Sequence, residues 1–352
     1  MTYVYSKQID PSTYETHGLC ENIPLRAHQD TISEDIGAIR AQEDWRRHVD
    51  PCLGQVKGSL GPVYSILSVM FPETKPDRME ILAYFHEYIA MHDDVAELGD
   101  KAGHNDEARD LCSKLSSAGP SPSLKSKDQG RKYLLSRILR EMLSLDPGPA
   151  STAIGLWAEW FEQGAGRRNR IRFASLDEYL EYRMLDIGEH LLMGILVFAM
   201  GLTIPGHELQ LAAKLCRPVW AVLGLTNDIF SYNKEKEFAA QRGEKSFFNS
   251  ICVVMEQFSI SRDEAEQMCR DLIKERVSDF LTAARNTLRR DDVSNDFKIL
   301  IDAAKFMISG NLVWSMTVPR YNSTVSFSPR QLDWMLNGTP SLIRGGLIRG
   351  EV

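Results

Sequence analysis

The chain has 352 residues, 43% hydrophobic and 25% charged, with a formal net charge of −7. That balance belongs to a globular chain with a sizeable core and excludes disorder along its whole length. The acidic net charge also excludes the broad basic surface on which nucleic-acid binding depends, so any anionic ligand must be held locally, by metal ions or a few basic side chains.

The first 30 residues contain Pro11, Gly18 and Pro24 together with Tyr3, Tyr5 and Tyr14, and read as an irregular arm docked through its aromatics. They lack a basic segment followed by an apolar run. From Glu34 onward apolar residues recur at three- and four-residue spacing, broken by Gly, Pro, Ser and Asp. The spacing predicts helices near 34–49, 60–70, 76–98, 130–144, 150–164, 176–202, 207–236, 245–257, 262–287 and 296–317. Strand-like alternation is nearly absent, so the fold class is all-α. The small, polar, Pro/Gly-rich run at 116–130 reads as a loop, because helical pattern resumes on both sides and carries parts of one site. The whole of 1–352 is therefore one domain, with an arm at 1–30 and a weakly patterned tail at 322–352, although length alone favours two domains. Six single cysteines without a CxxC pair read as reduced thiols of a cytosolic protein. The longest apolar stretch, 191–202, is too short to span a bilayer, so no membrane span is expected. The glycosylation patterns at Asn322 and Asn337 have meaning only in a secreted chain and are discounted.

Two segments carry chemistry. The first is His92-Asp93-Asp94-Val95-Ala96-Glu97, which ends a strongly apolar helix. At about 100° per residue Asp93 and Glu97 lie one turn apart on one face with Asp94 beside them. Hard Mg²⁺ takes such carboxylates and completes its shell with water and phosphate oxygens. The alternative is a solvated acidic helix end. In the second segment Asn227, Ser231 and Glu235 stand at i, i+4 and i+8, so an amide oxygen, a hydroxyl and a carboxylate line one helical stripe. Here the alternative is capping at a helix terminus.

DDVAE and NDIFSYNKE resemble the aspartate-rich and NSE motifs of class I terpene synthases, in the same order and about 130 residues apart. The resemblance implies a helical bundle around an apolar cavity and three Mg²⁺ ions, with Asp93, Asp94 and Glu97 on one side and Asn227, Ser231 and Glu235 on the other. It implies that Lys234 contacts diphosphate. EYRMLDIGEHLL is similar to the family's pyrophosphate-sensing helix, with Arg183 as sensor, Asp186 as its linker, and Ile187 and Gly188 at a helix break beside the ionising carbon. Arg320 and Tyr321 resemble the C-terminal Arg-Tyr pair that closes over the diphosphate. DPSTYETHGLCENIPLR and IRAQEDWRRHVDP resemble the N-terminal cyclase domains of fungal bifunctional enzymes that make fusicoccane-type diterpenes or ophiobolin-type sesterterpenes. In those proteins a prenyltransferase domain follows, so such a domain is the expected partner in the full-length protein, with a homo-oligomer left open.

The implied reaction is Mg²⁺-dependent ionisation of geranylgeranyl or geranylfarnesyl diphosphate, then cyclisation of the allylic cation to a polycyclic hydrocarbon and release of diphosphate. Such a cation needs an apolar cavity with aromatic faces. The candidates sit one or two turns inside the motifs, namely Phe85, Tyr88 and Ile89 before Asp93, and Trp220, Leu223 and Gly224 before Asn227. Trp157, Phe161, Phe198 and Trp314 complete the set, and ordinary core packing is the alternative for each. The rival readings are an isoprenyl diphosphate synthase, whose second motif would be aspartate-rich, and a non-catalytic helical scaffold that binds prenyl diphosphates. The basic run at 166–172 reads as a solvated connection, and Asp291-Asp292 as a loop without an acidic partner at i+4.

Overall fold

Helical periodicity becomes a bundle of thirteen helices among the residues described by the computed structural model, which are 3–20, 22–97, 127–165, 172–244 and 246–340, without the side chains of 93–97, 127–128 and 164–165. In chain order they are α1 (Ile32–His48), α2 (Ile66–Met70), α3 (Pro76–Glu97), α4 (Lys127–Leu145), α5 (Pro147–Ala165), α6 (Leu176–Asp186) and α7 (Glu189–Met200). Then follow α8 (Gly206–Leu215), α9 (Arg217–Gln241), α10 (Ser250–Phe258), α11 (Arg262–Leu288), α12 (Asn295–Thr317) and α13 (Pro329–Asn337). The loop at 116–126, the basic run at 166–171 and the end of the tail lie outside the described residues.

Two expected long helices are each split, for local reasons. The stretch 176–202 breaks at Gly188, whose φ of 86° and ψ of 49° lie in the left-handed region that only glycine enters cheaply. The stretch 207–236 breaks at Cys216, where Pro218 opens α9 at a position whose N–H would have no helical partner. The region 60–70 shortens to α2, whose first turn is held by the buried carboxylate of Glu34 accepting from the amides of Leu67 at 2.7 Å and Ser68 at 3.0 Å. At 245–257 the helix begins only after Asn249, whose side chain caps the amide of Ile251.

Packing then fixes which faces meet. α1 lies along α3, α5 along α7, and α9 between α11 and α12. Phe85 of α3 stacks on Trp157 of α5 with ring centroids 3.8 Å apart, and Trp157 Nε1 donates to the carbonyl of Leu191 in α7 at 3.0 Å, which ties three helices together. α12 corrects the expectation about apolar stretches. By length and composition it qualifies to cross a membrane, but 83% of its most apolar window is buried in the bundle, as befits a central core helix.

The sequence reading missed two features. The arm contains a short antiparallel pair, β1 (Ser6–Gln8) with β2 (Arg26–His28), too short for alternation to register. The buried carboxylate of Glu73 pins this arm, accepting from the amides of Val4 at 2.8 Å, Tyr5 at 3.2 Å and Ser6 at 3.0 Å. The tail contains α13, begun by a capping box between Ser328 and Gln331, and its Trp334 and Met335 pack on a small cluster with Ala38, Ile39, Leu60 and Phe327.

Candidate active site

At the end of the bundle where α3, α6, α7 and α9 converge lies a cavity of about 1910 Å³. α3 contributes His86, Ile89 and Ala90 to its wall, which are spaced i, i+3 and i+4 and so share one helical face. Asp93 follows His86 by seven residues, nearly two turns, which sets its backbone position in register with that face. The side chains of Asp93, Asp94 and Glu97 lie outside the described residues. From α9 the wall receives Asn227, Ser231, Lys234 and Glu235, from the α6–α7 junction Arg183, Asp186, Ile187, Leu191 and Leu192, and from the segment after α12 Arg320 and Tyr321. Thr13, Tyr14, Glu15 and His17 of the arm also line it.

The α9 stripe is brought together as its spacing requires. Ser231 Oγ donates to Glu235 Oε1 at 2.6 Å, and Asn249 Nδ2 steadies Glu235 Oε2 at 2.9 Å. Burial first, and then the nearby Asp228 carboxylate, push Glu235 up to about 7. A half-buried carboxylate crowded by a second one, with a hydroxyl and an amide oxygen on the same stripe, is a donor set that a hard divalent cation would relieve. Among the described residues no three His, Cys, Asp or Glu side chains cluster, so this set depends on its amide and hydroxyl oxygens.

Arg183 is the hub of the polar wall. Its Nε donates to Asp228 Oδ1 at 3.1 Å, its Nη1 to Asp186 Oδ2 at 2.5 Å and its Nη2 to Asn227 Oδ1 at 2.6 Å. The guanidinium also lies 5.3 Å from the ring centre of Phe248. Burial alone would pull the guanidinium down, but the Asp228, Asp186 and Glu235 carboxylates hold it well above its ordinary range. Asp228 is completely buried and also accepts from Tyr179 Oη at 2.5 Å and from the amide of Ser250 at 3.0 Å. Asn227 Nδ2 in turn donates to Tyr321 Oη at 2.7 Å, so the network runs from α6 through α9 to the segment after α12. Burial raises the Tyr321 hydroxyl, which therefore stays neutral. Arg320 Nη1 donates to the carbonyl of Lys57 at 2.8 Å, and Lys234 sits on the exposed rim.

Two glycines serve this geometry. Gly188 separates α6 from α7, with Ile187 ending α6 beside the cavity. Gly224 is not itself a wall residue. A β-carbon there would stand 2.9 Å from Arg183 Cγ, so the glycine makes room for the guanidinium stem.

The hydrocarbon wall differs from the expected one. Of the candidates Ile89 lines the cavity, whereas Phe85, Tyr88, Trp220, Gly224 and Trp314 are not among its lining residues, nor are Leu223, Trp157, Phe161 and Phe198. The reason is register on α3. Phe85 turns toward Trp157, while Tyr88 meets Trp45 edge-on and donates to the carbonyl of Arg131 at 3.3 Å. Trp220 is buried in the core, and Trp314 Nε1 donates to the carbonyl of Ser59 at 2.9 Å while its ring supports Tyr321 from behind. Aromatic residues that do line the cavity include Trp160, Tyr182, Phe230, Phe247 and Phe248, besides Tyr14, Tyr64, Phe238 and Tyr321. The sequence reading also missed Asp228, Tyr179, Asn249 and His86. Asp228 stood inside the second motif, and a carboxylate on the buried side of an apolar helix was the signal.

Residues 84–279 match the family described as terpene synthase family 2, C-terminal metal binding. The chain is 42% identical over 97% of its length to a bifunctional type I diterpene synthase of Aspergillus flavipes, covering 44% of that protein. It is 40% identical over 97% of its length to fusicoccadiene synthase of Phomopsis amygdali, covering 48% of that protein. It thus spans about half the length of the curated relatives it matches. Among solved structures, aristolochene synthase of Penicillium roqueforti aligns with a TM-score of 0.61 at 20% identity, over 79% of this chain and 95% of that one, which establishes the shared fold. The all-helical bundle and the match over the residues that build its polar wall place this chain in the terpene synthase family, whose matched region is a metal-binding one.

Proposed function

We propose that this chain is an Mg²⁺-dependent class I terpene cyclase domain that ionises geranylgeranyl diphosphate, geranylfarnesyl diphosphate or both, cyclises the allylic cation and releases diphosphate. The observation that carries the reading is the junction at Arg183, where a buried cation held by Asp186, Asn227 and Asp228 borders a cavity of about 1910 Å³ walled by Ile89, Trp160, Leu192 and Phe230. Ionisation needs oriented cationic donors on one side and a dry, polarisable wall on the other.

Asn227, Ser231 and Glu235 would hold one Mg²⁺, and Asp93, with Asp94 and Glu97 beside it, would hold two more. Bound there, the ions supply Lewis-acid stabilisation of the leaving diphosphate. Arg183, Lys234 and Arg320 would bind and orient that group, and Tyr321 would fix the Asn227 amide so that its oxygen stays in place. The arm residues Tyr14 and His17 would help keep water from the cation. The relatives' description as bifunctional, and their being about twice as long, support a prenyltransferase domain in the full-length protein.

Incubation with each prenyl diphosphate and Mg²⁺, followed by mass spectrometry of the extract and assay of released diphosphate, tests the reading. Hydrocarbon is expected, and its loss in both Asp93→Ala and Asn227→Ala, with helical circular dichroism retained, is expected as well. Formation of a longer diphosphate when the five-carbon isopentenyl donor is added would favour chain elongation instead. Hydrocarbon formation undiminished in both variants would overturn the metal assignment.

A further inference from the structure

A wall built to hold a carbocation excludes nucleophiles and bases, because either would end the reaction early. His86 breaks that pattern. It lines the cavity on the same α3 face as the apolar Ile89 and Ala90. Its Nδ1 is buried and has no hydrogen-bond partner among the described residues, a vacancy that costs stability in proportion to the lost hydrogen bond. Burial first, and then the Arg320 cation, push the imidazole down to about 4, so it is unprotonated near neutrality. Because Nδ1 has no exposed surface, the lone pair open to a bound molecule is that of Nε2, in the tautomer that carries its proton on Nδ1. Of the groups around Arg183, Asp186 holds that guanidinium, Glu235 accepts from Ser231 and Asn249, and the oxygen of Tyr321 accepts from Asn227, while Glu15 and His17 belong to the arm and Glu237 to the exposed side of α9, apart from the α3 wall.

We infer that His86 is a catalytic residue, the base that ends the cyclisation by taking a proton from a carbon next to the final cationic centre. The C–H bond breaks, and its electron pair forms the carbon–carbon double bond of the product. The proton forms a new N–H bond on the imidazole, which becomes an imidazolium. When the hydrocarbon leaves and water enters, that proton passes to water and the neutral ring is restored. No oxidant or further reactant is needed. The register of α3 supports the assignment, because His86 lies almost two turns below Asp93 on one helical face, deeper along the helix than the aspartate-rich end.

The inference rests on the cyclase reading, and two measurements separate them. Diphosphate release reports ionisation, whereas the position of the double bond in the product, read by mass spectrometry and NMR, reports the terminating step. In His86→Phe and His86→Gln, one aromatic and one polar but neither basic, diphosphate release is expected to stay within about threefold of the unsubstituted chain. The share of the original alkene is expected to fall at least tenfold, within the range that general-base catalysis supplies, in favour of other double-bond isomers or an alcohol. Two variants of opposite polarity guard against a change of cavity shape or a folding failure in one of them. If either folded variant keeps the original alkene as its main product, His86 is not the base. If the unsubstituted chain releases no diphosphate and forms no hydrocarbon, the cyclase reading fails and this inference fails with it.

Discussion

The polar wall around Arg183 and the hydrocarbon wall on α3 are built on opposite plans. Around Arg183 the polar groups are engaged, since the guanidinium meets Asp186, Asn227 and Asp228 while Asp228 also accepts from Tyr179 and Ser250. Among the described residues the α3 wall is apolar except for His86, whose Nδ1 has no partner among them. Where charge is to be held, donors are arranged in advance and need no reorganisation. Where a cation is to be steered, shape decides, and one open lone pair is tolerated for its chemistry.

The largest effect is expected from breaking the hub. Arg183→Leu leaves the fully buried Asp228 without its cation and should cost about 3–5 kcal/mol of stability, measurable by chemical denaturation. Diphosphate release should fall by at least about a hundredfold, since an oriented donor to the leaving group is gone. Gly224→Ala sharpens the contrast without removing any charge. Its β-carbon would meet Arg183 Cγ at 2.9 Å, and because the guanidinium is anchored at three points the stem cannot swing away freely. A fall of about tenfold in diphosphate release is expected, the kind of loss that misplacement by a fraction of an ångström produces. Melting temperature should fall as well, but by less than in Arg183→Leu, since overpacking of one methyl costs about 1–3 kcal/mol.

The pH dependence of stability probes the other wall. His86 is held near 4 in the folded protein against an ordinary 6.5, so the unfolded chain takes up the proton first. Its contribution to stability is therefore complete above about 6.5 and is lost as pH falls toward 4, by roughly 2 kcal/mol. Urea denaturation between pH 8 and pH 4.5 should give a shallower acid-side fall in His86→Gln than in the unsubstituted chain. The smallest effect is expected from Tyr321→Phe, which removes the oxygen that accepts from Asn227 Nδ2. It should slow diphosphate release about threefold to tenfold, in line with roughly 1 kcal/mol for one hydrogen bond.

How much of this was legible beforehand differs by residue. The helices and the α9 stripe followed from spacing, because a single helix fixes which of its own residues share a face. The break at Gly188 came only with the family resemblance, since apolar spacing alone carried one helix through 176–202 and the left-handed φ of 86° is a tertiary finding. Asp228 was hidden beside Asn227, because its importance comes from Arg183 and Tyr179, which lie 45 and 49 residues away. The two short strands and α13 escaped because three to nine residues carry too little periodicity to separate from loop.

By itself, then, the order of residues determined the all-helical class, the two metal-type motifs and the stripe of oxygens on α9, since each of these depends only on local geometry and near neighbours. Tertiary structure decided which face of α3 looks into the cavity. The face with Phe85 packs on Trp157, and the face with His86, Ile89 and Ala90 is left to the substrate side. Both faces of that helix are apolar enough to be buried, so the helices packed on it, α1 through Trp45 and α5 through Trp157, select between them.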